Sequence, residues 1–339
     1  MTYSDLVSQV EKSGQVSENK SVGFNLEYQA TDNLKFTLDY HSSSAEAKPN
    51  TIYGNSNTIQ MATNIRGETT IDFSSEFPVA SVKFPSQYDI ADFDGATANP
   101  LDYTSHLEPD RVRTTGTSFR NSYMRSEIDQ LQLNGKWTFD SGIVESIDFG
   151  IGNNVVDNRN AYGFAERATW GGVGQFDDVP NELLEASRST MVDRFDNLPG
   201  DKSAMINEFW APDFDAIAKI VGEKYGDVND PATWPCGKVI CAPSEYSEDR
   251  RTEEESVSAY VMSKLVFDIG SMPATIYAGL RYEKTDVTSN TLLPTINRVG
   301  WISDNEFKIE RGDKIFATGM GSYNYVLPNL DLQLPPKVQ

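Results

Sequence analysis

From Val22 to His41 the chain alternates apolar and polar positions, pauses, and alternates again. Val22, Phe24, Leu26 and Tyr28 share one parity, and Gly23, Asn25, Glu27 and Gln29 share the other. After Thr31, Asp32 and Asn33 the period resumes, with Leu34, Phe36, Leu38 and Tyr40 set against Lys35, Thr37, Asp39 and His41. A period of two marks a strand with one apolar face. A short Asp/Asn break between two such runs predicts a β-hairpin.

The pattern recurs along the chain. Runs at 57–65 and 68–75 predict a hairpin around Arg66 and Gly67. The stretch 122–139 places Leu131, Leu133, Trp137 and Phe139 on one parity. Its return strand places Ile147, Phe149 and Ile151 on one parity, after a turn at Asp140, Ser141 and Gly142. Val257, Ala259, Val261, Leu265 and Phe267 precede a turn at 270–273, and Ile276, Ala278, Leu280 and Tyr282 follow it. A last strand is predicted at about 322–334, with a bulge where Pro328 interrupts its ladder. Together these runs predict nine strands. The segment 213–226 reads as a helix, since Phe214, Ile217, Ile220 and Val221 fall on one face and Gly226 ends it.

Short turns alternate with long polar excursions at 44–56, 76–121, 158–255 and roughly 290–320. Several strands exceed the usual five or six residues. Aromatics of the apolar parity (Tyr28, Trp137, Phe139, Phe267) sit beside the short turns. One-sided loop lengths, long strands and aromatic girdles are features of an outer-membrane barrel, and a soluble sandwich accounts only for the alternation. The predicted fold class is therefore all-β: an antiparallel up-and-down transmembrane barrel, partial, with long, partly helical extracellular loops.

Composition narrows the picture. The 339 residues carry 50 acids against 29 bases, a formal net charge of −21, which disfavours binding to nucleic acid phosphates. No run of 18 apolar residues predicts a transmembrane helix. A mean hydropathy of −0.46 does not separate a soluble protein from a barrel, whose strands are only half apolar. The first fifteen residues hold neither a basic n-region nor an apolar core of a signal peptide. The two cysteines, Cys236 and Cys241, close a six-residue loop. A local disulfide in an oxidising compartment is favoured over two free thiols, and a zinc site would need His41 or His106, both far away in sequence. No nucleophile elbow, P-loop or zinc helix is found, so neither an enzyme activity nor a cofactor is expected. The glycines of 150–152 and 171–174 lack a nucleotide-binding context.

Three segments resemble the TonB-dependent receptors of the bacterial outer membrane. GFNLEYQATDNLKFTLDYHSSSAEAKP, from Gly23, looks like that family's barrel hairpin with a turn of the TDNL kind. AYVMSKLVFDIGSMPATIYAGLRYEKTDVTS, from Ala259, resembles its later hairpin with a GLRYE-type strand. YNYVLPNLDLQL, from Tyr323, is similar to a strand of the pattern Y-x-x-x-L-P-N/S-L-x-L. The resemblance implies a 22-stranded barrel around a plug and energised uptake of a scarce or bulky ligand: a siderophore, a cofactor or an oligosaccharide. It also implies outer-membrane lipid as surroundings and TonB as the inner-membrane partner, contacted through a box before the plug. No plug, no box and no aromatic-ended final strand is found, so the chain is expected to be the middle of such a receptor, with 158–255 as its longest extracellular loop. Asn25, Glu27, Lys35, Asp39, Ser146, Asp148, Lys264, Arg281 and Glu283 would then line the lumen. Trp170, Trp210 and Trp234 are candidate platforms for flat or sugar-like ligands, with packing inside a large loop as the plainer reading. The competing function is a secreted, soluble β-rich glycan-binding module.

Overall fold

The computed structural model describes residues 7–62, 68–74, 78–83, 109–167, 175, 178–191, 208–226, 236–270, 272–303 and 306–334. Antiparallel sheet dominates them, at 74% strand and 8% helix, which makes the chain all-β. The strands are β1 (Val7–Val10), β2 (Gln15–Thr31), β3 (Leu34–Pro49), β4 (Ser56–Ala62), β5 (Glu68–Asp72), β6 (Val79–Lys83), β7 (Arg113–Thr138) and β8 (Val144–Arg167). After α1 (Asn181–Ala186) come β9 (Arg188–Thr190) and β10 (Glu208–Trp210). After α2 (Phe214–Tyr225) come β11 (Glu248–Ile269), β12 (Met272–Ser303) and β13 (Glu306–Gln333).

Seven of these strands form a meander in the order β2, β3, β7, β8, β11, β12, β13. Both β2 and β13 pair on one side only, so the described sheet does not close. β1 pairs β4, and β4 pairs the first part of β7. β5 with β6, and β9 with β10, form two separate ribbons.

Several expectations are corrected. The hairpin expected over 57–75 does not form: β4 pairs β1 and β7, while β5 turns to β6. Both runs are short, and β4 takes its partners by burying Ile59 and Met61 in the core, whereas Ile71 of β5 stays exposed. The stretch 290–320 is not a loop but the facing halves of β12 and β13, paired from Thr275↔Gln333 to Ser303↔Glu306. Bulges between Pro294 and Ile296, Ile296 and Arg298, and Trp301 and Ser303 shift the parity there and hide the period. Pro328 makes no bulge, since Leu280↔Pro328 lies in unbroken register. A proline is tolerated on an edge strand, where its missing donor can face the open side. The expected nine barrel strands thus become seven longer ones, and β7, β8 and β11 reach well into segments read as excursions.

The chain divides into two compact units. The first comprises Met1–Gln15, Pro49–Ser122 and Gly163–Tyr246; the second comprises Val16–Lys48, Tyr123–Tyr162 and Ser247–Gln339.

The first unit has an ordinary core. Val10, Ile59, Met61, Val112, Phe119, Val179, Leu184, Trp210, Phe214, Ile217, Val221 and Ile240 are buried together. The helix α2 forms where the 3.6-residue period predicts it. Asp213 caps it by accepting from the Ala216 N–H at 3.0 Å, and Phe214, Ile217, Val221 and Tyr225 are its buried stripe. Beneath it Asp178, also buried, accepts from Tyr225 Oη at 2.5 Å, Gln175 N at 2.8 Å, Lys224 Nζ at 3.1 Å and Thr114 Oγ1 at 3.2 Å. Burial, and then the Asp178 carboxylate, raise the Tyr225 phenol above its ordinary range. Cys236 and Cys241 are bonded, with Cα atoms 6.0 Å apart.

The second unit is built differently. On β3, Phe36 and Leu38 face Gly135 and Leu133 of β7 in register. A β-carbon at Gly135 would collide with the Phe149 ring, which meets Phe36 edge-on at 6.3 Å between centroids. Phe149 pairs Val261, Val261 pairs Leu280, and Leu280 pairs Pro328. One lateral row of apolar side chains thus crosses six strands. No second layer covers it among the described residues, and Phe24, Leu26, Ile151, Val261 and Leu280 are all at least 47% exposed.

Two outcomes test this description. Asp178→Ala leaves buried donors without an acceptor, so the first unit should lose about 3 kcal/mol. Amide exchange along α2 should then rise while exchange along β11 and β12 stays unchanged; equal protection of α2 in both proteins would contradict the assignment. Replacing both cysteines by serine removes a six-residue closure and should cost about 2 kcal/mol in the urea unfolding of the same unit.

Candidate ligand-binding face

Residues directly opposed across an antiparallel pair share one face. On this basis the second unit has one apolar and one polar face. The polar face starts on β2 and β3, where Asn25 Nδ2 donates to Asp39 at 3.0 Å and Lys35 pairs Glu27 at 2.8 Å. Asp39 opposes Gln132 on β7. Beside Gln132 lies Gly152 of β8, which opposes Ser258, and Ser258 opposes Glu283. Lys136 pairs Asp148 at 3.8 Å and Lys264 pairs Glu145 at 2.6 Å. Lys264 also opposes Ser146, and Arg281 opposes Tyr260. The structure therefore gathers Asn25, Glu27, Lys35, Asp39, Ser146, Asp148, Lys264, Arg281 and Glu283 on one surface.

Two hollows lie on this face. One, of about 230 Å³, is lined by Gln130, Gln132, Asn154, Ser256, Ser258, Arg281 and Glu283, with Gly152 as its floor. A β-carbon at Gly152 would approach Ser258 Oγ to 3.2 Å, so the glycine keeps that floor low. The other, of about 340 Å³, is bounded by Tyr260, Met262, Gly279, Leu327 and Asn329, and shares Arg281 with the first. Arg281 donates through Nη2 and Nε to Glu283 at 2.8 and 3.0 Å, so the pair adds no net charge. Tyr260 Oη donates to Asn134 Oδ1 at 3.0 Å, which fixes the ring between the hollows.

The apolar face carries no comparable polar group between Ala259 and Phe267, apart from Ser263. Beyond that span it turns charged on successive strands. Ile151, Ala259 and Tyr282 are in register, and two residues further on stand Asn153, Val257 and Lys284. Next come Val155, Glu255 and Asp286, then Asp157, Glu253 and Thr288. Further out Asp249 is buried between Arg159 at 2.8 Å and Arg251 at 2.7 Å. Burial alone would raise its carboxyl, but the two guanidiniums outweigh it and hold Asp249 down to about 2. Arg159 stacks over Tyr123 at 4.9 Å, and Tyr123 donates to Glu46 at 2.8 Å.

The aromatic platforms fare otherwise. Trp210 is buried in the core of the first unit and offers no open ring face. Its apolar neighbours Phe209 and Phe214 were the signal for packing over binding. Trp170 and Trp234 lie outside the described residues. Sequence reasoning missed Gln130, Gln132, Asn154, Ser256 and Ser258, because neutral residues of the polar parity look like ordinary solvated positions; only their alignment across three strands reveals the hollow. Among the described residues no group of three or more His, Cys, Asp or Glu is placed to hold a metal ion. No protein-family model, curated protein or solved structure matches the chain at a significant level.

The Asp249 cluster gives a pH test. A carboxylate whose folded pKa lies below its unfolded value stabilises above the unfolded pKa and loses this as pH falls through the folded one. From about 3.9 unfolded to about 2 folded, the contribution is about 3 kcal/mol at pH 7. Asp249→Asn should cost about that much at pH 7 and nothing below about pH 2, read from unfolding midpoints at both pH values.

Proposed function

We propose that the second unit is part of the wall of an outer-membrane barrel of the TonB-dependent receptor type, serving energised uptake of a scarce or bulky ligand. The observation that carries this reading is the apolar face and its common upper limit. From Ala259 to Phe267 the strand runs about 26 Å at 3.3 Å per residue. At a tilt of 35–45° that becomes about 20 Å, which fits within the roughly 25 Å of a barrel's lipid-facing band. Across the six spacings between seven strands it is about 29 Å wide. A face of about 26 by 29 Å, or roughly 750 Å², exceeds the 300–600 Å² that the largest apolar patch of a typical monomer reaches.

Further features support the same reading. Aromatics mark both limits of the band: Tyr28 and Trp137 near the short turns, Tyr40 and Tyr282 where the face turns charged. The turns at 32–33, 139–143 and 270–271 are short, while the connections from β3 to β7 and from β8 to β11 span 50–112 and 168–247. The polar face would then look into the lumen, and the first unit, with its water-type core, would belong to the extracellular segments. TonB would act through a plug, and ligand would pass along the polar face.

Phase partitioning in a nonionic detergent tests the reading. The chain should enter the detergent phase. Val261→Arg with Leu280→Arg, a cross-strand pair in the band, should lower its partition ratio at least tenfold, since each arginine costs about 2–4 kcal/mol near the midplane. Gln130→Arg on the other face should leave the ratio unchanged. A chain that stays in the aqueous phase as a monomer would instead support the secreted module.

A further inference from the structure

We propose that the paired hollows of the polar face bind a neutral oligosaccharide, with Gln132 and Asn154 as its principal hydrogen-bonding residues. The setting, a receptor lumen, rests on the reading above; the site itself rests on its lining.

The smaller hollow is bounded by three carboxamides and two hydroxyls. A carboxamide presents two donors and an acceptor, and a hydroxyl presents both functions. A sugar hydroxyl also donates and accepts, so such a lining can meet consecutive hydroxyls in either direction. The only charges, Arg281 and Glu283, neutralise each other at 2.8 Å. An anionic chelate would find no uncompensated cation there, and the chain's net charge of −21 opposes its approach. A cationic ligand would find no free carboxylate.

The larger hollow complements this chemistry. Tyr260, Met262 and Leu327 offer an aromatic and aliphatic surface, and Asn329 and the shared Arg281 sit at its rim. A pyranose has apolar C–H faces and a polar equator, which suits an apolar wall beside a carboxamide row. The two hollows, of about 230 and 340 Å³, together lie within the usual 300–1,000 Å³ of small-molecule sites and exceed what one sugar unit needs. The low floor at Gly152 leaves the smaller hollow deep, and Tyr260 and Arg281 flank the passage to the larger one.

Isothermal titration of the detergent-solubilised 339-residue chain tests the assignment, using neutral gluco-, xylo- and manno-hexasaccharides and a ferric tricatecholate as the anionic probe. At least one neutral hexasaccharide should bind, and Gln132→Ala with Asn154→Ala should weaken it at least tenfold. Gln29→Ala, beside the β2–β3 turn, should not, and the tricatecholate should give no heat. Binding of the tricatecholate alone, binding of neither class, or neutral binding indifferent to the double substitution would each overturn the proposal. Detergent partitioning, measured on the same preparations, separates this failure from failure of the membrane reading: the hollow can fail in a chain that still enters the detergent phase.

Discussion

An apolar sheet face with nothing over it among the described residues is the constraint on which the second unit depends. Each buried aliphatic or aromatic side chain is worth about 1.5–3 kcal/mol relative to exposure in water. The row from Phe36 through Phe149, Val261 and Leu280 to Pro328 gains only the part that lateral neighbours supply, since Phe149, Val261 and Leu280 stay 36–50% exposed. The first unit shows that this sequence can bury apolar residues where it needs to, since Ile59, Phe119, Leu184, Ile217 and Val221 are all within 1% of complete burial. Two units of one chain thus obey opposite rules. On the proposed reading, a lipid solvent for one and water for the other would reconcile them, because hydrocarbon satisfies an apolar face as well as a second layer would.

That constraint explains the rest of the unit's design. A strand in lipid must satisfy its backbone through its neighbours, and the seven-strand meander pairs β3, β7, β8, β11 and β12 on both sides. With one face given to apolar residues, the polar side chains of these strands within the apolar band, Ser263 apart, take the other. The result is a surface dense in amides, hydroxyls and paired ions: Asn25 with Asp39, Lys35 with Glu27, Arg281 with Glu283. Where the apolar face ends, charge returns to it at once, and the Arg159–Asp249–Arg251 cluster ties β8 to β11 beyond the band. The polar surface is then a consequence of the same parity rule that builds the apolar one.

Much of this was legible in the sequence. The period of two gave the strands of the second unit and both of their faces, because each residue there has a single role set by parity. The period of 3.6 gave α2, and the spacing of Cys236 and Cys241 gave the disulfide. What escaped had physical causes. The bulges near Pro294, Ile296 and Trp301 break parity and concealed the outer halves of β12 and β13. The partners of β4 are set by three-dimensional packing around Ile59 and Met61, which no local pattern encodes. Only the apolar neighbours Phe209 and Phe214 marked Trp210 as a core ring. The hollow at Gly152 exists only once β7, β8 and β11 are aligned.

Single cysteines placed in turn at each position from 253 to 267 of β11, with Cys236 and Cys241 replaced by serine and the protein held in detergent micelles, test the account most directly. Each labelled position is read against a lipophilic and an aqueous quencher. The account predicts a period of two: odd positions from 257 to 267 reached by the lipophilic reagent, even positions by the aqueous one, and the oscillation lost below 256 where Glu255 and Glu253 occupy the same face. Odd positions shielded from both reagents, as in a sheet covered by a second layer, or open to water throughout, would contradict it.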